Sequence, residues 1–282
     1  MRQQRCRAAV LGSPIGHSLS PALHRAAYAE LGLDWTYEAI ECTVADLAAT
    51  VARLSTDYAG LSLTMPLKQA VLPLLDRVDD SVTLVGACNT VVFDDDAVTG
   101  YNTDVAGVHA ALDELASLAP ADRAGSLASD VVVLGGGGAA LAVLTALAHR
   151  NFSSVTVVVR RPEKAAAVTA LAGRLSLRMR LEHWSRAADL LAAASLVVAT
   201  TPAGTTDALG AASWPTGTAL FDVVYAPWPT ALGAAAARAG APVVGGLPML
   251  IGQAAEQVTL MTGRLAPVAA MRSAGEAALA AR

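Results

Sequence analysis

The sequence has few charged and few aromatic residues. Asp, Glu, Lys and Arg make up 16% of its 282 residues, and Phe, Trp and Tyr make up 4%. The low charge argues against disorder, and a hydrophobic fraction of 54% is sufficient for a large core in one large domain or two ordinary ones. The net charge of −4 excludes the broad basic surface that is typical of nucleic-acid binding.

Cysteine is also scarce. Cys6, Cys42 and Cys88 are widely spaced and form no C-x-x-C motif, so the sequence predicts neither a metal site nor a disulfide framework. The residues before Gly12 contain no apolar run of the kind found in signal peptides. We therefore expect a reducing, cytoplasmic location.

The most informative stretch is VVVLGGGGAALAVLTALA, at residues 131–148. Branched apolar residues predict a buried strand, four glycines predict a tight turn, and the Ala- and Leu-rich part predicts a helix. The pattern Gly135-x-Gly137-x-x-Ala140 is typical of dinucleotide-binding folds, in which a pyrophosphate contacts free N–H groups at a helix N-terminus. The alternatives are a plain flexible turn and, from length and lack of charge, a membrane span, which the consecutive glycines disfavour.

The second predicted strand of this unit, at residues 155–159, indicates which cofactor is bound. NAD-binding folds usually carry Asp or Glu at the end of this strand to bind the ribose 2′-hydroxyl. Here the strand is followed by Arg160, Arg161 and, after Pro162-Glu163, Lys164. Because arginine binds a phosphate through two parallel hydrogen bonds, the pair favours NADP(H) over an alternative in which both arginines are merely exposed.

Strands and helices are predicted to alternate along the whole chain. In the second half, strands are predicted at 131–134, 155–159, 177–181, 196–200, 219–224 and 242–244, which indicates a parallel, doubly wound sheet of the Rossmann type. The first hundred residues alternate similarly, with a hairpin at 89–93 and 97–99, but lack the glycine fingerprint. The fold class is therefore α/β, with two α/β domains.

Four polar residues lie where loops become helices, and three of them have a purely structural alternative. Ser20 precedes Pro21 and is predicted equally as a helix N-cap or a ligand-binding residue. Ser18 has no such structural role in the sequence pattern. Lys68 opposes the dipole of its helix, so charge pattern alone favours a solvated lysine, and Asp104 complements a helix dipole.

Several segments resemble motifs of the shikimate dehydrogenases, in the order in which that family has them and over essentially the whole chain. Together with the glycine turn, they are GSPIGHSLSPALH (12–24), GLSLTMPLK (60–68), GACNT (86–90), GYNTD (100–104), DVVYAPWPT (222–230) and GLPMLIGQAAEQ (246–257). Each motif alone is modest, but the complete ordered set is highly specific.

The resemblance implies the roles of individual residues. It implies that Lys68 and Asp104 are catalytic, with Lys68 as the proton donor. The residues implied to bind the substrate are Ser18, Ser20, Thr64, Asn89, Asn102, Tyr225 and Gln253. The residues implied to bind the cofactor are Gly135, Gly136, Gly137, Gly138, Ala139, Arg160, Arg161, Lys164, Thr200, Gly246 and Met249.

The resemblance also implies an activity and a domain arrangement. The expected activity is reversible, NADP-dependent reduction of 3-dehydroshikimate to shikimate in aromatic amino acid biosynthesis, without a metal. Residues 1–103, completed by helices at 248–282, would bind substrate, and residues 104–247 would bind NADP, in a monomer or homodimer. The alternatives are a quinate or dual quinate/shikimate dehydrogenase, and a non-catalytic NADP-sensing regulatory protein.

The sequence departs from the family pattern at a few positions. Ser62 replaces the usual Asn, which contacts the substrate, and its shorter hydroxyl is expected to need a water to reach the same atom. Arg25, Tyr101 and Val159 also differ from the residues that are usual at their positions. These departures leave the expected reaction class intact and bear on substrate preference.

Overall fold

Two separate open β-sheets, each with its own helices, account for the alternation of strand and helix patterns in the sequence. The computed structural model describes residues 5–94, 96–118, 130–211 and 214–282. The chain divides into two compact units. The first unit contains the chain up to Asp104 together with Leu250–Arg282, and the second contains Val105–Met249.

The first unit is built on a six-stranded sheet whose strand order is β2-β1-β3-β5-β6-β4. Its strands are β1 (Arg7–Gly12), β2 (Thr36–Glu41), β3 (Gly60–Leu63), β4 (Arg77–Val78), β5 (Thr90–Phe93) and β6 (Val98–Tyr101). The neighbours β2, β1 and β3 are parallel, whereas β5 is antiparallel to both β3 and β6. The predicted hairpin is therefore confirmed as β5–β6, and the two-residue edge strand β4 is an element that the sequence pattern did not predict.

The helices of the first unit come from both ends of its discontinuous chain. They are α1 (Ser20–Glu30), α2 (Leu47–Leu54), α3 (Leu67–Ala70) and α4 (Asp80–Val85), the first residue of α5 (Asp104–Leu118), most of α11 (Leu247–Thr262), and α12 (Val268–Ala280). Helix α12 packs against α1. Helix α11 comes so close to β3 that a Cβ on Gly60 would lie 2.9 Å from the side chain of Met261. The same Cβ would lie 2.6 Å from the carbonyl oxygen of Val91 on β5.

The second unit contains a six-stranded sheet in which every neighbouring pair is parallel. Its strands are β7 (Val131–Leu134), β8 (Ser154–Val159), β9 (Arg178–His183), β10 (Leu196–Ala199), β11 (Ala219–Asp222) and β12 (Val243–Val244). The order β12-β11-β10-β7-β8-β9 is that of the Rossmann fold. The predicted doubly wound sheet is thus confirmed, and its strand order reverses between β7 and β10.

Helices follow the strands of the second sheet in the alternation that parallel pairing requires. Beside the remainder of α5, they are α6 (Gly138–His149), α7 (Ala166–Arg174), α8 (Ala187–Leu191), α9 (Asp207–Gly210) and α10 (Ala231–Arg238). Strands β7, β10 and β11 are buried along their whole length, which explains why their sequences are continuous apolar runs. Within the described residues, no helix is long and apolar enough to cross a membrane.

Candidate active site and cofactor site

A buried ion pair lies in the first unit, between the short helix α3 and the start of α5. The Nζ atom of Lys68 is 2.5 Å from Oδ2 of Asp104. The Asp104 side chain is 5% exposed and that of Lys68 is 29% exposed, so one end of the pair is buried and the other remains accessible. Burial of a carboxylate is costly unless it is paired, and therefore Asp104 does more here than complement a helix dipole.

Asn89 connects this ion pair to helix α11. Its Nδ2 atom donates to Oδ1 of Asp104 at 2.9 Å and lies 3.2 Å from Oε1 of Gln253. Its Oδ1 accepts a hydrogen bond from the backbone N–H of Thr103 at 2.8 Å. The structure thus brings Lys68, Asp104, Asn89 and Gln253 together from four separate segments of the chain.

Asn102, which the resemblance implies binds the substrate, makes its side-chain hydrogen bonds to the protein backbone. Its Nδ2 donates to the carbonyl oxygen of Ala87 at 2.8 Å, and its Oδ1 accepts from the backbone N–H of Asp104 at 3.1 Å. The side chain is also buried. Asn102 therefore holds the first turn of α5, and with it the Asp104 carboxylate, in place.

The structure corrects the sequence interpretation of Ser18 and Ser20. Ser20 is the first residue of α1, and the N-cap position is held by Leu19 without a side-chain hydrogen bond. The Ser18 hydroxyl instead accepts from the backbone N–H of Ser20 at 3.3 Å. Capping, one of the two roles predicted for Ser20, is therefore wrong. Ser18 has a structural role that its sequence pattern did not indicate, because a serine two residues before an amide can bond to it.

The loop that carries Ser18 adjoins the loop that carries Thr64. The backbone N–H of Ser13 donates to the carbonyl oxygen of Met65 at 3.1 Å. Gly12 lies against the Thr64 side chain so closely that any Cβ on Gly12 would overlap its methyl group. Glycine at position 12 therefore allows the two predicted substrate loops to meet at one end of β1 and β3.

Ser62 belongs to a buried polar network rather than presenting a free hydroxyl. Its Oγ accepts from the Tyr37 hydroxyl at 2.7 Å and donates to Oε1 of Gln257 at 2.8 Å. Gln257 also donates to the Thr90 hydroxyl at 3.0 Å, and its Oε1 is 3.2 Å from Nε2 of His24. The Ser62 hydroxyl is thus engaged on both sides inside the protein.

Sequence reasoning missed Gln257, Tyr37 and His24 as members of this network. Gln257 lies one helical turn after Gln253, so the i, i+4 spacing indicates that both amides are on the same face of α11. His24 is fully buried and its ring stacks on Tyr37 at a centroid distance of 3.9 Å. Burial lowers the pKa of His24 to about 3, against a smaller opposing effect of its hydrogen bond to Gln257.

In the second unit, a cavity of about 350 Å³ opens at the carboxyl ends of the central strands. Seven of the predicted cofactor residues line it: Gly135, Gly136, Gly137, Arg160, Arg161, Lys164 and Thr200. It is also lined by residues that were not predicted to bind the cofactor: Val159, Ala165, Trp184, Thr201 and Pro202. Gly138 and Ala139 begin helix α6 directly after the glycine turn.

The glycine turn leaves space in front of helix α6. Gly135 has φ +112°, a conformation that favours glycine, and a Cβ there would lie 2.5 Å from the Thr200 hydroxyl oxygen. Gly137 is the N-cap of α6 and has no side chain to occupy the helix N-terminus. A Cβ on Gly137 or Gly138 would meet nothing within 4 Å, so the space beside these two glycines is open. The first N–H groups of a helix have no partner within the helix.

Three other predicted binding residues of the second unit are not among the residues that line this cavity. Tyr225 is partly buried and follows β11. Gly246 packs against the 223–225 segment, where its N–H donates to the carbonyl oxygen of Val224 at 3.0 Å and a Cβ would overlap the carbonyl oxygen of Val223. Met249 is buried in α11. Their ligand-binding roles stay predictions.

Two segments match models of one family. Residues 10–91 match the shikimate dehydrogenase substrate binding domain, and residues 246–274 match the shikimate 5'-dehydrogenase C-terminal domain. A shikimate dehydrogenase (NADP(+)) from Moorella thermoacetica is 40% identical over 276 residues, covering 93% of this chain and 90% of that protein. The chain belongs to the shikimate dehydrogenase family.

Solved structures of family members share the whole fold. The crystal structure of Mycobacterium tuberculosis shikimate dehydrogenase aligns with a TM-score of 0.84 at 41% identity, covering 95% of this chain and 99% of that one. A quinate dehydrogenase from Corynebacterium glutamicum in complex with NAD aligns with a TM-score of 0.85 at 30% identity, covering 98% and 100%. Family membership and fold are therefore established over nearly the full length.

His24 is expected to make the protein sensitive to acid. Because its pKa falls from 6.5 in the unfolded chain to about 3 in the folded one, the unfolded state binds more protons between these values. Stability is thus fully present above pH 6.5 and declines as the pH falls, by about 2 kcal/mol from His24 alone at about pH 5. The measurement is the urea midpoint at several pH values for the unaltered protein and for His24→Gln.

The expected result is that His24→Gln loses less stability on acidification than the unaltered protein, whatever its stability at neutral pH. His17→Gln is the matched control in the same unit, because His17 is exposed and its replacement leaves His24 in place. Parallel pH profiles for the unaltered protein and His24→Gln would contradict the assignment.

Proposed function

We propose that this chain reversibly reduces 3-dehydroshikimate to shikimate with NADPH, a step of aromatic amino acid biosynthesis. The observation that carries the proposal is the Lys68–Asp104 pair with Asn89 and Gln253 around it. An accessible ammonium group held by a buried carboxylate is suited to proton transfer at a substrate oxygen. The relatives named shikimate dehydrogenase (NADP(+)) support the same substrate and cofactor.

The reduction of a ring ketone requires a hydride at the carbonyl carbon and a proton at the carbonyl oxygen. NADPH, when bound, supplies the hydride. Lys68 donates the proton from Nζ and stabilises the negative charge that develops on the oxygen. In the reverse direction, the neutral amine of Lys68 accepts the proton of the substrate hydroxyl.

Asp104 fixes the position of the proton donor. Its Oδ2 bonds to Lys68 and its Oδ1 to Asn89, so the carboxylate is held from both sides. Because the Lys68 side chain is long and flexible, this contact reduces the number of conformations in which Nζ misses the substrate oxygen. Asp104 is also placed to accept a hydrogen bond from the reacting hydroxyl.

The remaining polar groups of the first unit are suited to orient a hydroxylated carboxylic acid. We assign Ser18 and Ser20 to the carboxylate, and Thr64, Asn89 and Gln253 to the ring hydroxyls. The substrate contact predicted for Tyr225 stays a prediction. Each polar group disfavours an analogue that leaves it unpaired. Ser62 is not included, because its hydroxyl is engaged by Tyr37 and Gln257.

The cavity of the second unit fits NADP(H) in its chemistry. Arg160, Arg161 and Lys164 contribute three positive charges to the lining, and all three residues are exposed. The glycine turn and the uncapped N-terminus of α6 provide N–H groups for a pyrophosphate. A 2′-phosphate would satisfy the arginines, which supports NADP(H) over NAD(H).

A quinate dehydrogenase is the second candidate, because one such enzyme aligns over 98% of this chain. Quinate carries an extra hydroxyl at C1, and the two serines of the substrate loop offer it no additional partner, so that group would lose hydration without compensation. We expect kcat/KM for shikimate to exceed that for quinate by at least about tenfold. Steady-state assays with both acids at saturating NADP⁺ and one pH measure the ratio, and equal efficiencies would overturn the preference.

Lys68→Ala is expected to lower kcat by roughly 10²- to 10⁴-fold, because it removes the proton donor. The KM for shikimate should change much less, since the binding groups remain. Steady-state kinetics at saturating NADP⁺ check this, with circular dichroism to confirm folding.

The matched control for Lys68 is the other lysine of the chain, Lys164. Lys164→Ala removes the same group from the cofactor cavity and is expected to raise the KM for NADP⁺ with a smaller effect on kcat. An unchanged kcat in Lys68→Ala would show that Lys68 is a solvated surface lysine and not the proton donor.

Replacement of both Arg160 and Arg161 by Ala is expected to raise the KM for NADP⁺ by at least about tenfold, because hydrogen bonds to charged groups contribute about 1.5–3 kcal/mol each. Use of NAD⁺ should be nearly unaffected, since only NADP⁺ carries the 2′-phosphate. Arg186→Ala serves as a control, because Arg186 is exposed in the same unit and pairs with Asp189. A preference of the unaltered enzyme for NAD⁺ would refute the assignment.

The non-catalytic alternative, an NADP-sensing regulatory protein, requires neither Lys68 nor Asp104. The close contact of these two side chains supports the enzyme instead. We further propose a cytoplasmic location. We also propose that the protein is a monomer or a homodimer, and size-exclusion chromatography with light scattering would distinguish these two states.

A further inference from the structure

Trp184 lines the cofactor cavity but belongs to none of the predicted binding groups. It follows β9 directly and begins the short 3₁₀ helix Trp184–Arg186. The imidazole Nδ1 of His183 accepts from the backbone N–H of Ser185 at 3.3 Å, so the first turn of this helix is capped by the last residue of the strand. The position of Trp184 is thus fixed by the strand end and its cap.

The register of the second sheet places Trp184 beside Arg160. Strands β8 and β9 are parallel, and Val159 pairs with His183 at their carboxyl ends. Arg160 and Trp184 are therefore the next residues of two strands that lie about 4.8 Å apart. Gly135, directly after β7, and Thr200, directly after β10, line the same cavity.

The cavity lining combines two kinds of side chain. Arg160, Arg161 and Lys164 contribute positive charge. Trp184, Val159 and Pro202 contribute apolar surface. A ligand that matches both has an anionic group directly attached to a unit that bears a flat aromatic ring.

The 2′-phosphate of NADP and its adenine are carried by the same ribose. Any site that binds the 2′-phosphate through Arg160 therefore lies within one sugar of the adenine. The nicotinamide is separated from that phosphate by the pyrophosphate and a second ribose. The aromatic side chain beside the arginines thus faces the adenine end of the cofactor.

We propose that Trp184 is an adenine-binding residue, on which the adenine ring of NADP(H) stacks while the 2′-phosphate binds Arg160 and Arg161. This inference rests on the proposed use of NADP(H). Stacking of a base on an aromatic side chain is sequence-tolerant and strong enough to be measured by mutation. Trp184 therefore contributes affinity for the adenosine half of the cofactor rather than for its reacting half.

Trp184 also packs against the apolar cluster of the second sheet that includes Val158 and Ala187. A purely structural role would make the residue important for stability alone. The test must therefore measure binding of the adenosine half itself, and must include a variant that preserves the packing. Trp184→Phe preserves an aromatic ring, whereas Trp184→Leu preserves only apolar volume.

The probe is adenosine 2′,5′-bisphosphate, which carries the adenine and the 2′-phosphate without the nicotinamide. Binding to the full chain is measured by calorimetry, and by quenching of tryptophan fluorescence, to which Trp35, Trp184, Trp214 and Trp228 contribute. Trp214→Phe is the matched control, because Trp214 lies in the same unit but is buried, with its indole N–H bonded to the carbonyl oxygen of Thr218 at 2.7 Å. Nicotinamide mononucleotide is the control ligand.

We expect the Kd for the bisphosphate to rise about tenfold in Trp184→Leu and to change by at most about threefold in Trp184→Phe. Quenching by the bisphosphate should persist in Trp214→Phe and disappear in Trp184→Phe, and nicotinamide mononucleotide should not produce it. Quenching that persists in Trp184→Phe, or a Kd for folded Trp184→Leu within twofold of that of the unaltered protein, would overturn the proposal.

Two safeguards keep the outcome decisive. If Trp184→Leu is not folded, the quenching measurement on Trp184→Phe decides between stacking and packing. The binding measurement with the bisphosphate needs no substrate. Absence of shikimate oxidation would therefore refute the proposed function without changing the conclusion on adenine binding. Absence of bisphosphate binding to the unaltered protein would overturn the adenine site itself.

Discussion

The buried carboxylate of Asp104 is the constraint around which the first unit is arranged. A carboxylate in this position would be expensive to keep without partners, and its two oxygens are met by Lys68 and by Asn89. These partners arrive from the turn after β3 and from the start of β5. The positions of helix α3, strand β5 and the β6–α5 junction are therefore coupled through one charged group.

A second group of polar contacts, made through helix α11, supports this arrangement. Gln257 bonds to Ser62 on β3 and to Thr90 on β5, and it lies next to His24 of α1. Gln253, one turn earlier on the same helix, reaches Asn89. One face of α11 thus supplies both a residue that we assign to the substrate and a residue that fixes the strands carrying the other groups. Among the described residues, no buried side-chain nitrogen or oxygen is left without a hydrogen-bond partner, which is what a network with low solvent exposure requires.

The sequence predicted the second unit better than the first, for physical reasons. Strands such as Val131–Leu134 are buried on both sides, so they appear as continuous branched apolar runs, and the glycine turn has a conformational signature of its own. In the first sheet, β4 has two exposed residues and no apolar pattern, so nothing in its sequence distinguishes it from a loop.

Among the site residues, too, the sequence revealed those that belong to a local motif and missed the contacts that depend on the fold. Lys68 and Asp104 could be singled out by motif, but their contact depends on a long-range fold that spacing does not encode. The role of Ser62 depends on Tyr37 and Gln257, which are remote in sequence, and local pattern could not have revealed that its hydroxyl is already engaged. Trp184, for which we propose adenine binding, was not singled out because its position beside Arg160 comes from the register of β8 against β9. Capping, one of the two roles considered for Ser20, is wrong because Ser-Pro before a helix predicts an N-cap one residue too late here.

The discontinuity of the first unit has a consequence for biosynthesis. Its sheet is translated early, but Gln253, Gln257 and helix α12, which pack onto that sheet and onto α1, belong to the last segment, Leu250–Arg282. A ribosome releases the N-terminal strands well before this segment emerges, and domains generally fold as units. The inserted second unit, Val105–Met249, is complete in the nascent chain first. The unit that begins the chain is therefore the last to fold completely. The polar side chains on its strands lack their partners from α11 until the whole second unit has been synthesised.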